Sequence, residues 1–264
     1  MQFIGVLVKA LAMGTFQVAG VVRPRVAGQP LIHRDTINNL VNGVLLYALK
    51  LGVLIWALAR LDQGWVDLSW LPTGPAQFIF AFVLLDFTRY WVHYADHRLP
   101  WLWHFHRVHH SAERLDATTG LRMHVVDFCQ LALIPVVLFG VLFNGKQLEA
   151  WVVPAALAVA DVMDAFEHAN VKMDRTSPLV KAWSLLFNSP SFHCWHHTRD
   201  GALCDGNYSN TLVIWDRLFG TDVTQVQPPA LYGISGDQAL ENTVLGMQLL
   251  RRRQEAPVPE RAVL

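Results

Sequence analysis

The sequence predicts an all-α integral membrane protein, with four to five transmembrane helices carrying a cytoplasmic, histidine-rich helical cap. Three observations lead there. Only 16% of the 264 residues are charged while 53% are hydrophobic, against roughly 25% charged in an ordinary soluble domain. The apolar residues gather in five long stretches. The histidines recur at helical spacing at or just beyond the ends of those stretches.

A hydrocarbon core of about 30 Å takes about 20 helical residues to cross. The first candidate, Phe3 to Val22, is interrupted by Lys9 and diluted by Gly5, Gly14 and Gly20, so it either spans or lies in the interface. Pro24, Gly28 and Pro30 then form a loop. The second, Ile37 to Ala59, carries the single charge Lys50, with Asn38 and Asn39 near its start. A turn-rich connection follows at Asp62, Gly64, Pro72, Gly74 and Pro75. The third runs from Ala76 to about Tyr94, apolar through Leu85 before it meets Asp86, Arg89 and His93. The fourth and fifth, Val125 to Phe143 and Leu148 to Phe166, flank the short Asn144-Gly145 turn and read as a transmembrane hairpin. Beyond His168 the chain looks soluble, ending in Arg251-Arg252-Arg253 and a Pro-rich tail expected to be disordered. The expected division is an apolar segment and loop at 1–36, a membrane catalytic domain at 37–221, and a partly disordered tail at 222–264.

Arginine and lysine fall mainly in the connections after the first and third segments and beyond the fifth; the other two connections hold only Arg60 and Lys146. The positive-inside rule puts the three basic regions in the cytoplasm. Alternation along five spans agrees, and places all twelve histidines on that side, at or just beyond the membrane. A net charge of zero without a basic block gives no footprint for nucleic acid. Cys129, Cys194 and Cys204 form no C-x-x-C pair, which excludes a thiolate zinc finger and a disulfide framework. No charged region precedes the first apolar run, so no signal peptide is expected.

Residues three or four apart share a helix face. His93/His97, His106/His109/His110 and His193/His196/His197 therefore each form a one-sided imidazole set, and His124 and His168 stand nearby. A lone histidine is usually structural, and His33 is read so. His104, about 200° around the helix from His106, is read as packing or support. The ten others recur in register, and imidazole is the commonest protein ligand of transition metals. Their number exceeds the four ligands of a structural zinc, so two ions share the set. No H-E-x-x-H or E-x-x-H is present, which removes zincin proteases and ferritin-like carboxylate sites. Residue types alone leave iron and zinc both open. Asp86, Asp161 and Asp164, and likewise Asn170 and Asn207, are expected to orient ligands by accepting their second N–H or bracing them. The competing reading pairs the carboxylates with Arg89 or Lys50. Trp215, Asp216 and Arg217 are expected to lock the C-terminal part.

The ordered run HYADH, HRVHH, RMHVVD, FEHAN, FHCWHH and NYSNTLVIWDRLFGT resembles the fatty acid hydroxylase superfamily, the sterol desaturase family of membrane histidine-box enzymes, over roughly Ile37 to Thr221. The resemblance implies two iron ions held by His93, His97, His106, His109, His110, His168, His193, His196 and His197, with His124 as a further candidate. It implies oxidation of a lipid or sterol C–H bond by dioxygen, with electrons from a separate cytochrome b5-type or ferredoxin-type donor. Val125 and Asp127 stand where the family usually has Pro and Glu, which counts against His124; Ser209 replaces a common Gly. Hydroxylation, desaturation and alkylglycerol-type ether cleavage begin with the same hydrogen abstraction. Outside this class, the alternatives are a non-catalytic metal-binding membrane protein, whose histidines would spread across membrane depth, and a zinc hydrolase, which would need a carboxylate base.

Overall fold

In the computed structural model, residues 2–58, 64–174, 176–199, 201–223, 229–234 and 236–253 are described. The ends of the expected second segment (Ala59) and of its connection (Asp62), the side chain of Lys50 and the Pro-rich tail lie outside them. The described residues are helical, with only isolated bridging pairs such as Pro24 with Val171 and no strand.

Four long helices and one interrupted one build the body. They are α1 (Gln2–Val22), α2 (Arg34–Leu58), α3 (Pro75–Arg98), α5 (Val125–Val136) and α6 (Val152–His168); α4 (Pro100–His110) links α3 to the loop before α5. Prolines set several starts: Pro75 and Pro100 lie in first turns, where a missing N–H costs nothing. Pro135 lies inside α5, and the chain widens from there into a π-helical stretch at Val137–Leu142. Proline cannot donate to the preceding turn, so the regular ladder ends there. The expected fifth segment starts later than its apolar run: Gly145–Gln147 forms one tight turn and α6 begins at Val152.

Helices α1 and α3 pack on α6, and α2 packs on α5. Leu85, Ile134, Leu138 and Ala156 form the apolar centre of this bundle. Leu68, Ala81, Leu148 and Val152 close one end. Two helical stretches among the described residues, 5–22 and 125–142, are long and apolar enough to cross a membrane. Only 11% of the first is buried within the protein, and Leu7, Leu11 and Val18 point outward. A water-soluble core helix would hide that face.

The Lys9 that interrupts the first segment has a structural explanation. Its Nζ lies 3.1 Å from Asp161 Oδ1 and 3.0 Å from Asp164 Oδ2 on α6. The two carboxylates are thus paired with Lys9, not with Arg89. Asp86 is also placed differently from expectation. It accepts from the N–H groups of Thr211 and Leu212 and from Trp215 Nε1, at 3.0, 3.0 and 2.9 Å, and so ties the C-terminal part to α3 instead of orienting a histidine. Asp86→Ala strands three donors, and its unfolding free energy in detergent should drop by about 1–3 kcal/mol.

Past α6 come the short helices α7 (Pro178–Trp183), α8 (Pro190–His193), α9 (Gly201–Cys204), α10 (Ile214–Phe219) and α11 (Val244–Gln248). They fold back onto the body. Asp216 on α10 accepts from the N–H groups of Tyr208 and Ser209 at 2.8 and 3.0 Å, while Val108, Leu240 and Met247 share one core cluster. Described residues on both sides, α1 before and Leu240 and Met247 after, are therefore packed onto the 37–221 stretch.

Candidate metal centre

The last turns of α3, the face of α4, the end of α6 and the α8 turn converge at one end of the bundle. Nine histidines meet there in two groups, His93, His97, His106, His110 and His196 in one, and His109, His168, His193 and His197 in the other. Within each, one ligand atom per residue lies within 4.8 Å of all the others. The groups are neighbours: the His110 and His197 rings stack with centroids 4.7 Å apart.

Each H-x-x-H-H motif is divided between the groups. On α4, His106 and His110 lie four apart, share a face and enter the first group, while His109 turns to the second. In the α8 turn, His193 and His197 enter the second group and His196 the first. Two of the three one-sided sets expected from spacing are thus split across the two groups, while His93 and His97 stay together in the first.

Outer partners fix which ring nitrogen faces inward. Carbonyl oxygens can only accept, so Nδ1 carries the proton where it meets one: His93 on Tyr208 O (2.7 Å), His196 on Gly206 O (2.8 Å), His109 on Arg122 O (3.2 Å) and His168 on Asp164 O (2.7 Å). His97 Nδ1 meets Asp205 Oδ1 at 3.2 Å. The inward Nε2 atoms of these rings then hold lone pairs. Yet His109 and His168 face each other Nε2 to Nε2 at 3.2 Å, and His193 Nε2 is 3.1 Å from both His168 Nε2 and His197 Nε2. In the first group, His97 and His110 Nε2 are 3.1 Å apart, and Nε2 of His93, His106 and His196 is buried with no hydrogen-bond partner among the described residues.

Facing lone pairs need a cation between them. At metal–nitrogen bonds of about 2.1 Å, tetrahedral ligands stand about 3.4 Å apart and octahedral neighbours about 3.0 Å. The observed contacts match that range, so the donor set fits two ions bound by neutral imidazole.

Burial keeps the rings neutral. Buried beside other imidazoles, His109, His110, His193 and His197 have pKa values well below the ordinary histidine value, and burial takes His196 down to about 3. His106 differs. Burial opposes its charged form, but Asp127 and Asp96 outweigh that and raise its pKa. Asp127 Oδ2 lies 3.5 Å from His106 Nδ1, and neither Asp127 oxygen has a hydrogen-bond partner among the described residues. Asp127→Asn should weaken metal binding in the first group by about 10–100-fold, measurable by chelator competition.

Several expected roles change. His124 stands outside both groups: its Nδ1 accepts from Val126 N–H as the cap of α5, and its Nε2 meets Gln248 O at 3.0 Å. With both nitrogens engaged, it is a capping residue. Among the described residues, Asp161 pairs with Lys9. Asp164 orients His168 through its backbone oxygen, its carboxylate standing 3.6 Å from the ring, too far for a good hydrogen bond. Asn170 exchanges two hydrogen bonds with the backbone of Val26, which anchors the segment after α1. Asn207 bonds Phe192 O and both backbone groups of Val223. It braces the turn whose neighbours Gly206 and Tyr208 receive His196 and His93, so its support is indirect. His33 lies 3.1 Å from Asp116 and is structural; His104 is exposed.

Sequence reasoning missed Asp205, Asp96, Asp127 as a histidine partner, and the carbonyls of Arg122, Gly206 and Tyr208. Asp205 lies within an otherwise unremarked loop, and backbone oxygens leave no trace in residue identity.

The profile of the fatty acid hydroxylase family matches residues 78–221. Alkylglycerol monooxygenase of Caenorhabditis elegans is 26% identical over 80% of this chain and 40% of its own length. The Xenopus tropicalis alkylglycerol monooxygenase is 30% identical over 79% of this chain and 45% of its own length. Ornithine lipid hydroxylase OlsE of Rhizobium tropici is 35% identical over 62% and 47%, respectively. The chain spans less than half the length of these relatives, and no solved structure matches it.

Proposed function

The chain belongs to the fatty acid hydroxylase family, and from that premise we propose that it is a membrane-bound di-iron oxygenase that hydroxylates a lipid C–H bond. The observation carrying this reading is the pair of converging, all-imidazole groups beside apolar helices. His93, His97, His106, His110 and His196 would hold one iron, and His109, His168, His193 and His197 the other. Bound there, the two irons would supply the reduction of dioxygen and the oxidising power to break an unactivated C–H bond. Neutral ligands leave such ions strongly positive, which suits retention of the reduced state, and a five-imidazole group exceeds the four ligands zinc ordinarily takes.

The protein's own contribution is orientation and exclusion. The carbonyls of Tyr208, Gly206, Arg122 and Asp164 lock ring tautomers. The buried walls keep bulk water from a reactive site. One oxygen atom would enter the C–H bond and the other leave as water, with two electrons from a separate donor of the cytochrome b5 or ferredoxin type and two protons from solvent. Helices α1, α2, α3, α5 and α6 are the spans, the histidine end faces the cytoplasm, and 37–221 is the catalytic unit, supported by its two flanks. The similarity to alkylglycerol monooxygenases favours ether cleavage as the second reading, since hydroxylation beside an ether oxygen gives a product that falls apart.

Purified protein should contain two irons per chain and consume oxygen when given a reductant and lipid. Zinc without oxygen uptake would remove the proposal.

A further inference from the structure

Beyond His168 the sequence looks soluble, yet two of its short helices carry apolar side chains on the outside. On α7 and the turn after it, Leu179, Leu185 and Leu186 stand outward, Leu179 being 78% and Leu185 65% exposed. On α10, Ile214, Leu218 and Phe219 do the same, with Leu218 at 66%. Hydrogen bonds tie the two elements into one platform. Val213 N–H donates to Leu186 O at 3.0 Å and Asn188 N–H to Thr211 O at 2.8 Å. Arg217 donates to the backbone oxygens of Leu185 and Ser184 at 2.5 and 2.8 Å. Scattered apolar residues on a surface are ordinary, but six on one joined platform mark a contact.

Position decides what covers it. Phe219 packs on Trp91 and Tyr90, and Trp215 on Phe87, with ring centroids 4.8, 5.4 and 5.0 Å apart. Phe87 precedes His93 by six residues, about 9 Å along α3, toward the apolar half where Ile79 and Val83 are exposed. At the other edge Trp183 of α7 lies against Phe166 of α6, and Phe166 against Phe16 of α1, the helix whose apolar 5–22 stretch is only 11% buried. The platform thus lies beside the later turns of α1 and α3 instead of beyond their ends, and its apolar face continues theirs. Its own charges suit that place. Lys181 on α7 is exposed, Arg217 meets Asp222 at 3.4 Å, and Asp216, the acid of α10, is buried on the N–H groups of Tyr208 and Ser209.

We propose that the α7–α10 platform is seated in the lipid bilayer, in the leaflet at the histidine end, with its leucines among the outer methylenes and Lys181 and Arg217 reaching back to the lipid phosphates. Apolar side chains below a cationic rim hold a helix in the plane of the interface, and long basic side chains lay their stems along lipid while the charge stays in water. Part of the C-terminal cap is then a lipid contact in its own right, and the membrane boundary comes within about two helical turns of His93. The inference rests on the membrane reading of the spans and is independent of the metals and of the oxygenase reading.

Carbene labelling of the native full-length chain in phosphatidylcholine nanodiscs tests the proposal, with one diazirine carried on a lipid acyl chain and another on a water-soluble amino acid. The lipid reagent should mark the stretches 179–186 and 214–219 about as heavily as α1, and about tenfold or more above the exposed turn at Glu113 and Arg114. Background marking by lipid with strong marking by the aqueous reagent overturns the proposal, since the face is then open to water. Weak marking by both reagents also overturns it, in favour of a protein contact such as a second copy of the chain. If α1 and the 125–142 stretch escape the lipid reagent as well, the membrane reading falls together with the platform. Marked spans beside an unmarked platform sink this inference alone.

Discussion

His109→Ala is expected to leave one iron per chain in place of two and to cut oxygenation by more than about 100-fold. His109 belongs to the four-imidazole group and supplies nothing to the other. Its loss leaves His168 and His193 facing each other with one ligand fewer, while His93, His97, His106, His110 and His196 remain together. His196→Ala should halve the metal from the opposite side, and the double variant should hold almost none. Exposed His104, changed to alanine, should keep both ions and full activity. Metal-to-protein ratios by mass spectrometry, read beside oxygen uptake, check all four. Two irons and native turnover in His109→Ala would sink the division of ligands described above.

Lys9→Met should be the most damaging change for stability among residues outside the metal centre. Its side chain and those of Asp161 and Asp164 are 10%, 20% and 7% exposed. Removing one partner from a buried ionic cluster leaves uncompensated charge, at a cost of about 3–5 kcal/mol. A side chain at Gly120 would collide with the Asp164 carboxylate, so little room exists for Asp164 to turn elsewhere. The triple variant Lys9→Met, Asp161→Asn, Asp164→Asn should recover much of the loss. Thermal unfolding in detergent is the measurement; an unchanged midpoint in Lys9→Met would show that the cluster contributes nothing.

The histidine centre was legible because metal ligation restricts residue type and helices restrict spacing, so HYADH and HRVHH carry both constraints in a few letters. His168 was harder, lying alone at the end of α6, and it entered the set of ten without a helical partner of its own, the resemblance adding a matching isolated histidine. His124 failed because its place beside the boxes in sequence says nothing about the turn it caps. The carboxylates failed for a related reason. Whether Asp161 meets a histidine or a lysine depends on how α1 lies against α6, a matter of tertiary packing between residues some 150 positions apart. Local pattern placed the apolar helices well and their ends less well, since Pro135 and the Gly145–Gln147 turn reshape the fourth and fifth segments.

Because α4 reaches into both centres with alternate histidines, it works as a yoke. A tilt of that helix carries ligands of both groups together, so neither group is disturbed without the other. The same coupling bears on ancestry: shortening the 106–110 run by a single residue would derail both groups at once, whereas a substitution such as His109→Ala strikes only one.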